Sequence, residues 1–260
     1  MSDEHVLYET RGPVGLLTIN RPAKRNGFTI EMFKRLAALC TEADADEAIR
    51  CLVVNANGPD FTTGLDLMNV GPSFRQGEVP IEPDQVDLWN VIGRLRTKPL
   101  VVAVHGRCFT LGTELALAAD VCVAASDTRF ALKEVSVGII PAGGGTFRFV
   151  GAAGYGNAMR YVLSGDEFDA SEAYRLNVVA EIAAPGEQLE RALAIADSIA
   201  AQAPLAVRSA LAHAQIALLD GWRAAISEIV ERQIPLMNSA DAMEAAMAMM
   251  QKRPPTFSGT

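Results

Sequence analysis

The 260-residue sequence predicts an α/β protein built on a largely parallel sheet. Three observations carry that prediction. Cys51-Leu52-Val53-Val54-Asn55, Leu100-Val101-Val102-Ala103-Val104 and Val121-Cys122-Val123-Ala124-Ala125 are apolar runs of strand length that do not alternate with polar residues. Such runs suit strands covered on both faces, the usual condition of a parallel sheet. Segments of helical period separate them, as crossover connections require, and beyond Gly145 the pattern turns nearly all helical.

Each element has its own warrant. Residues 6–9 and 15–19 flank Gly12-Pro13, so a hairpin opens the fold. Phe33, Leu36, Ala37 and Cys40 recur at helical spacing and predict a helix over residues 30–43. The strand at 51–55 runs into a loop rich in Gly, Asn, Asp and Thr over residues 56–66. Residues 72–83 mix Pro, Gly and charge and read as a surface excursion, followed by a helix over 87–95. A strand at 100–104, a loop at 106–111, a helix over 112–119 and a strand at 121–125 come next, then a short strand at 128–131.

Four amphipathic stripes close the chain. They run through Leu189, Leu193 and Ile199, then Val207, Leu211 and Leu218, then Trp222, Ile226 and Ile229, and lastly Met243, Met247 and Met250. Pro204 separates the first two, and Pro254-Pro255 ends the last. The chain thus divides into an α/β core at 1–199 and a helical segment at 200–260. The apolar faces of that segment need either the core or a neighbouring subunit to cover them. Its methionines read as core rather than as pocket lining.

Composition excludes several classes. Half the residues are hydrophobic, 21% are charged and mean hydropathy is +0.16, which excludes a disordered chain. The 23 basic and 31 acidic residues give a net charge of −8, which disfavours nucleic acid as a partner. Cys40, Cys51, Cys108 and Cys122 form no metal-ligand spacing and, with three histidines in all, predict no metal site. They read as buried small hydrophobes of a reducing compartment. The polar, acidic first ten residues do not resemble a targeting leader, and no run reaches the about 18 apolar residues of a membrane span. A cytoplasmic protein is expected.

Familiar chemistries find no support. There is no G-x-x-x-x-G-K-[ST] loop, no G-x-G-x-x-G after a strand, no G-x-S-x-G elbow and no H-E-x-x-H pair. What remains lies in two strand-to-helix loops, one running from Asp60 to Leu67 and the other from Gly106 to Glu114. In a parallel sheet both emerge at the carboxyl edge, where ligands bind. Small residues there let backbone N–H groups face a crevice. Glu114 falls in the first turn of its helix, and Glu134 precedes the run Ile140-Pro141-Ala142-Gly143-Gly144-Gly145. Taken singly, each glutamate reads as a surface acid, Asp66 as a helix cap and the Lys/Arg pairs as solvated charge.

Together these segments resemble the enoyl-CoA hydratase/isomerase, or crotonase, family from end to end. The match runs through Asn20-Arg21-Pro22 with Asn26, through the stretch from Phe61 to Leu67, and through that from His105 to Asp120. It continues from Phe130 to Arg148 and along the helical tail. The resemblance implies a spiral of ββα units with a C-terminal helical trimerisation segment, and a homotrimer or a hexamer formed as a dimer of trimers. It implies an acyl-CoA thioester substrate, coenzyme A entering as part of that substrate with no other cofactor. The thioester carbonyl would lie between the amides of Leu65 and Leu111, which stabilise an enolate. Glu114 would orient and deprotonate water while Glu134 protonates C2. Contacts with the CoA thioester fall to Lys24, Arg25 and Asn26, to Thr63, Gly64, Asp66 and Leu67, and to Gly112 and Pro141, with Lys252-Arg253 as further phosphate partners.

Leu65, Leu111 and Ala142 depart from the family's usual small residues and reshape the pocket without removing a backbone donor. The pair of glutamates favours hydration of a 2-enoyl-CoA. Isomerisation, another enolate step such as thioester hydrolysis, and a non-catalytic acyl-CoA- or RNA-binding relative remain as alternatives.

Overall fold

Gly12, with φ of 56°, turns the opening hairpin of β1 (Val6–Arg11) and β2 (Val14–Ile19). The computed structural model describes residues 4–260, so the first three residues of the acidic N-terminal stretch lie outside the description. From β2 onward the main sheet is parallel: α1 (Ile30–Ala45) leads to β3 (Cys51–Ala56), which lies beside β2. Then come α2 (Leu67–Arg75), β4 (Leu100–Val104), β5 (Arg107–Phe109), α3 (Leu111–Ala118), β6 (Val121–Ala125), β7 (Arg129–Ala131) and α4 (Gly145–Ala153). The units β4-β5-α3 and β6-β7-α4 repeat a strand–strand–helix plan. Their first strands enter the large sheet and their second strands pair in a small one, as a spiral of ββα units requires.

The chain continues through α5 (Tyr155–Val162), β8 (Phe168–Asp169), α6 (Ala170–Arg175), β9 (Glu181–Ala183) and α7 (Gln188–Ala200). It ends in α8 (Pro204–Leu219), α9 (Trp222–Met237) and α10 (Ala240–Gln251). The large sheet has the order β1-β2-β3-β4-β6-β9, and the small one β5-β7-β8. The stretch past Gly145 is therefore less purely helical than its sequence suggests, since β8 and β9 complete the two sheets. Both are too short to show a period of two.

Unbroken apolar strands have the expected cause. Leu52 and Val54 of β3, with Leu100, Val102 and Val104 of β4, pack into the cluster that contains α1. Cys51 and Val53, with Val101 and Ala103, pack on the other face against Ala192, Ala196 and Ala200 of α7. All four cysteines are free and buried, and burial pushes the Cys51 and Cys122 thiols up to about 12.

Two segments differ from their predicted form. Residues 72–83 begin inside α2, which carries Pro72, and only then become loop. Residues 87–95 are not helical. Asn90 and Gly93 adopt positive φ (51° and 69°), and the Asp87 carboxylate accepts the N–H groups of Trp89, Val91 and Ile92 at 2.8–2.9 Å. A side chain that gathers three local donors replaces the helical ladder.

The tail behaves differently from the core. Among the described residues α8 buries none, and Met243, Met247 and Met250 are 59%, 50% and 82% exposed, so the methionines are not core of this chain. The chain end is strapped back: Arg50 donates to the Phe257 carbonyl at 2.8 Å, and Asp241 accepts the N–H groups of Ser258 and Gly259. No helix among the described residues is long and apolar enough to cross a membrane.

Candidate active site

Both loops leave the carboxyl ends of neighbouring strands, and buried polar side chains set their shapes. Asn26 is fully buried. Its Nδ2 donates to the carbonyls of Asn57 and Asp60 (2.9 and 2.8 Å), and its Oδ1 accepts from Arg21 N–H (2.7 Å). Thr62 Oγ1 donates to the Asn26 carbonyl at 2.7 Å and accepts Gly64 N–H at 3.1 Å. On the second loop, Thr113 is fully buried with its hydroxyl 2.6 Å from the Cys108 carbonyl, which fixes the start of α3. The loops meet where Gly64, at φ of 99°, faces Thr110. A Cβ on Gly64 would lie 1.9 Å from Thr110 Oγ1. Thr110 itself has φ of 50° and is held by its N–H on the Ala131 carbonyl at 2.7 Å.

This framework leaves two backbone donors unused. Phe28 pairs with the Gly64 carbonyl and the Asp66 N–H, which leaves the Leu65 amide between them unbonded. The Leu111 amide begins α3, where first-turn N–H groups have no partner within the helix. Neither donates to a protein acceptor among the described residues. Two such N–H groups on adjoining loops can stabilise an oxyanion.

Two carboxyls share the cavity beside them. Glu114, on the first turn of α3, is 2% exposed, and its Oε1 accepts Gly145 N–H at 2.9 Å. Gly143 and Gly145 permit this approach, since a Cβ on either would sit 2.8–3.2 Å from Glu114 side-chain atoms. Burial pushes the Glu114 carboxyl up, opposed by the N–H groups of Gly145 and Gly143 and by Arg148. Glu134 opens a short 3-10 turn that Gly138 closes at φ of 80°. It is 6% exposed, and its Oε2 is buried without a hydrogen-bond partner. Burial pushes this carboxyl up to about 7, helped by the neighbouring Glu114 charge. Burial thus raises both acids, but the Gly143 and Gly145 N–H groups and Arg148 oppose the rise at Glu114, whereas at Glu134 the Glu114 charge adds to it, which favours Glu134 as the proton donor of the pair.

The cavity has a volume of about 470 Å³. Phe33, Ile81 and Trp89 form buried parts of its wall, and Val137, Ile139 and Ile140 form an exposed rim. Trp89 was not singled out from the sequence. Its Nε1 donates to the Leu111 carbonyl at 3.0 Å, which ties the 87–95 loop to α3, and its ring packs edge-on to Phe28. The signal available was chemical: a buried indole N–H needs an acceptor.

The other expected contacts separate into two groups. Thr63, Leu65, Leu67 and Leu111 line the cavity with the two glutamates. Lys24 and Arg25 are exposed and lie outside its lining, but the Arg25 carbonyl accepts Thr63 N–H at 3.1 Å, so the pair sits beside the first loop. Asn26 does not reach the cavity, because both ends of its amide are engaged inside the fold. Asp66 occupies the cap position of α2 without capping it and pairs with Arg21 at 2.9 Å. Gly64 and Gly112 serve close packing: a Cβ on Gly112 would lie 2.7 Å from Thr62 Cγ2. Pro141 is buried against Gly145. Arg253 is bonded to Glu244 through both terminal nitrogens, so it is not an open phosphate ligand.

A family model described as enoyl-CoA hydratase/isomerase matches residues 9–260. Enoyl-CoA hydratase EchA19 of Mycobacterium tuberculosis is 32% identical over 261 residues, covering 98% of this chain and 97% of that protein. The 2,3-dehydroadipyl-CoA hydratase of Escherichia coli is 33% identical, with 94% of each chain covered. A crystal structure titled as a probable enoyl-CoA hydratase/isomerase from Mycobacterium abscessus matches with a TM-score of 0.96 at 42% identity, covering 99% of each chain. With its two-sheet spiral and paired carboxyls, this chain belongs to the enoyl-CoA hydratase/isomerase family, as a crotonase-fold hydratase or a closely related isomerase.

Proposed function

We propose that the protein reversibly hydrates a 2-enoyl-CoA to a 3-hydroxyacyl-CoA. The observation that carries this reading is that Glu114 and Glu134 line one cavity beside the two unbonded amides of Leu65 and Leu111. Glu114 accepts a proton from water as the water oxygen bonds to C3. The C2–C3 π electrons move towards the thioester carbonyl, whose developing negative charge is held by the Leu65 and Leu111 N–H groups. Glu134 gives its proton to C2, so the elements of one water are added across the double bond. Exchange of one proton in each direction with solvent resets the two carboxyls.

Loss of the conjugated thioester absorbance measures the reaction. Glu114→Gln and Glu134→Gln are each expected to slow it by about 10²–10⁴-fold. Unchanged rates in both would sink the assignment. Because Glu134 must carry a proton, kcat/KM for hydration is expected to fall above pH about 7. Isomerisation is the second reading, favoured by the free Oε2 of Glu134, which could shuttle one proton between C2 and C4. It predicts turnover lost in Glu134→Gln and kept in Glu114→Gln.

The same reading includes CoA as part of the substrate with no resident cofactor, a cytoplasmic setting in keeping with four buried thiols, and assembly into a homotrimer or hexamer. The exposed apolar faces of α9 and α10 support that assembly, with Trp222 80% and Ile226 67% exposed. The basic Lys24-Arg25 pair beside the Thr63 loop would receive CoA phosphates, so affinity should weaken with salt.

A further inference from the structure

The charge inventory of the cavity restricts what the acyl group carries at its far end. Among the described lining residues the acids are Asp87, Glu114 and Glu134, and the one cation is Lys133. Lys133 is already paired with Glu167 at 3.4 Å and lies 5.8 Å from the centre of the Phe109 ring. Arg148, behind the wall, donates to the carbonyls of Gly143 and Asn90. Asp87 cannot turn into a donor site either, because three backbone N–H groups hold its carboxylate. The rest of the lining is aliphatic or aromatic apart from Thr63 and Thr110.

From this lining we infer that the enzyme selects acyl groups that are hydrocarbon to their end, of medium length, and discriminates against acyl groups ending in a carboxylate. The inference rests on the acyl-CoA reading of the site and adds the class of acyl chain. A terminal carboxylate would enter a space that offers three acids and no unpaired cation, losing its hydration without compensation. A methylene, by contrast, gains about fourfold in binding when buried (about 0.8 kcal/mol). At about 30 Å³ for a water-sized group, a cavity of about 470 Å³ holds about sixteen such groups, enough for the end of the pantetheine arm and an acyl chain of medium length. The rim residues Val137, Ile139 and Ile140 extend the apolar surface outward rather than ending it in charge.

Saturated thioesters test this without relying on turnover. Butanoyl-CoA, octanoyl-CoA and the mono-CoA thioester of octanedioic acid are titrated by calorimetry into the intact protein. Octanoyl-CoA is expected to bind at least tenfold tighter than butanoyl-CoA, and about 10²-fold tighter than its ω-carboxyl counterpart. A ratio under tenfold in either comparison overturns the inference. Failure of all three to bind overturns instead the acyl-CoA reading beneath it. Ile92, a lining residue 40% exposed, supplies the second arm. Ile92→Lys places a cation at the wall and is expected to narrow the octanoyl to ω-carboxyl ratio by tenfold or more. A ratio that stays at its wild-type value would overturn the charge argument.

Discussion

β3 and α9 are both rich in apolar residues, yet their surroundings are opposite. Every residue of β3 is buried, whereas Ala225 is the one buried residue among the sixteen of α9. Both faces of the strand find partners within the chain, in α1 and α7. The helix turns Trp222, Ile226, Ile229 and Val230 outward, each more than half exposed. Hydrophobic patterning states that a face must be covered, but not whose atoms cover it. The core is complete in one chain and carries the whole carboxylate and amide constellation. The tail, anchored through Arg50 just before β3, is complete only in part.

The largest expected effect belongs to the core. Glu134→Gln should lower kcat by about 10³-fold while leaving the protein's sedimentation mass unchanged. A simultaneous fall in mass would mean that site and tail are coupled. Next in size is Leu52→Ala in β3, a fully buried side chain between packed layers. It should cost about 2–5 kcal/mol of stability in denaturant titration.

The pH dependence of stability sharpens the contrast, because the two regions hold acids shifted in opposite directions. Glu134 in the core is raised to about 7, so its contribution is full below pH about 4.5 and is lost as pH rises through about 7. Glu244 in the tail is lowered to about 2 by Arg253, and its contribution is lost as pH falls towards that value. Glu134→Gln should therefore remove about 2 kcal/mol of destabilisation between pH 5 and 8, seen as a flatter Tm profile. The smallest effect is Trp222→Ala in the tail. It should change the chain's own unfolding free energy by under about 0.5 kcal/mol, yet lower the sedimentation mass at micromolar concentration.

The core was legible because burial on both faces removes alternation, and Val53, Val102 and Val123 report that directly. The 87–95 loop was not, since Leu88, Val91, Ile92 and Leu95 recur at helical spacing. Only Asn90 and Gly93 hint at the turn, and the capture of three N–H groups by Asp87 is a tertiary outcome. Glu114 and Glu134 were identifiable through the family segments around them. Their unequal environments were not, because these depend on Gly145, 31 residues along the chain, closing on Glu114. Backbone donors such as the Leu65 and Leu111 amides have no residue type of their own, so the sequence marks only the loops that carry them. Asn26 sits in a matching segment but faces inward, which a motif cannot distinguish from a ligand contact.

The contact between Gly64 and Thr110 has a consequence for altering this enzyme. It couples the loops bearing the two amides, so neither can be redesigned without the other. The rim at Val137 and Ile139 belongs to the turn that Glu134 opens, with the Ile139 N–H on the Glu134 carbonyl at 3.1 Å, and the 87–95 loop meets α3 through the Trp89 indole. Substrate range can therefore be varied at Ile140, which lies outside that turn and is 69% exposed, whereas random substitution along the whole rim would disturb Glu134 as well. A library directed at residues 62–64 or 110–113 would yield mostly inactive protein.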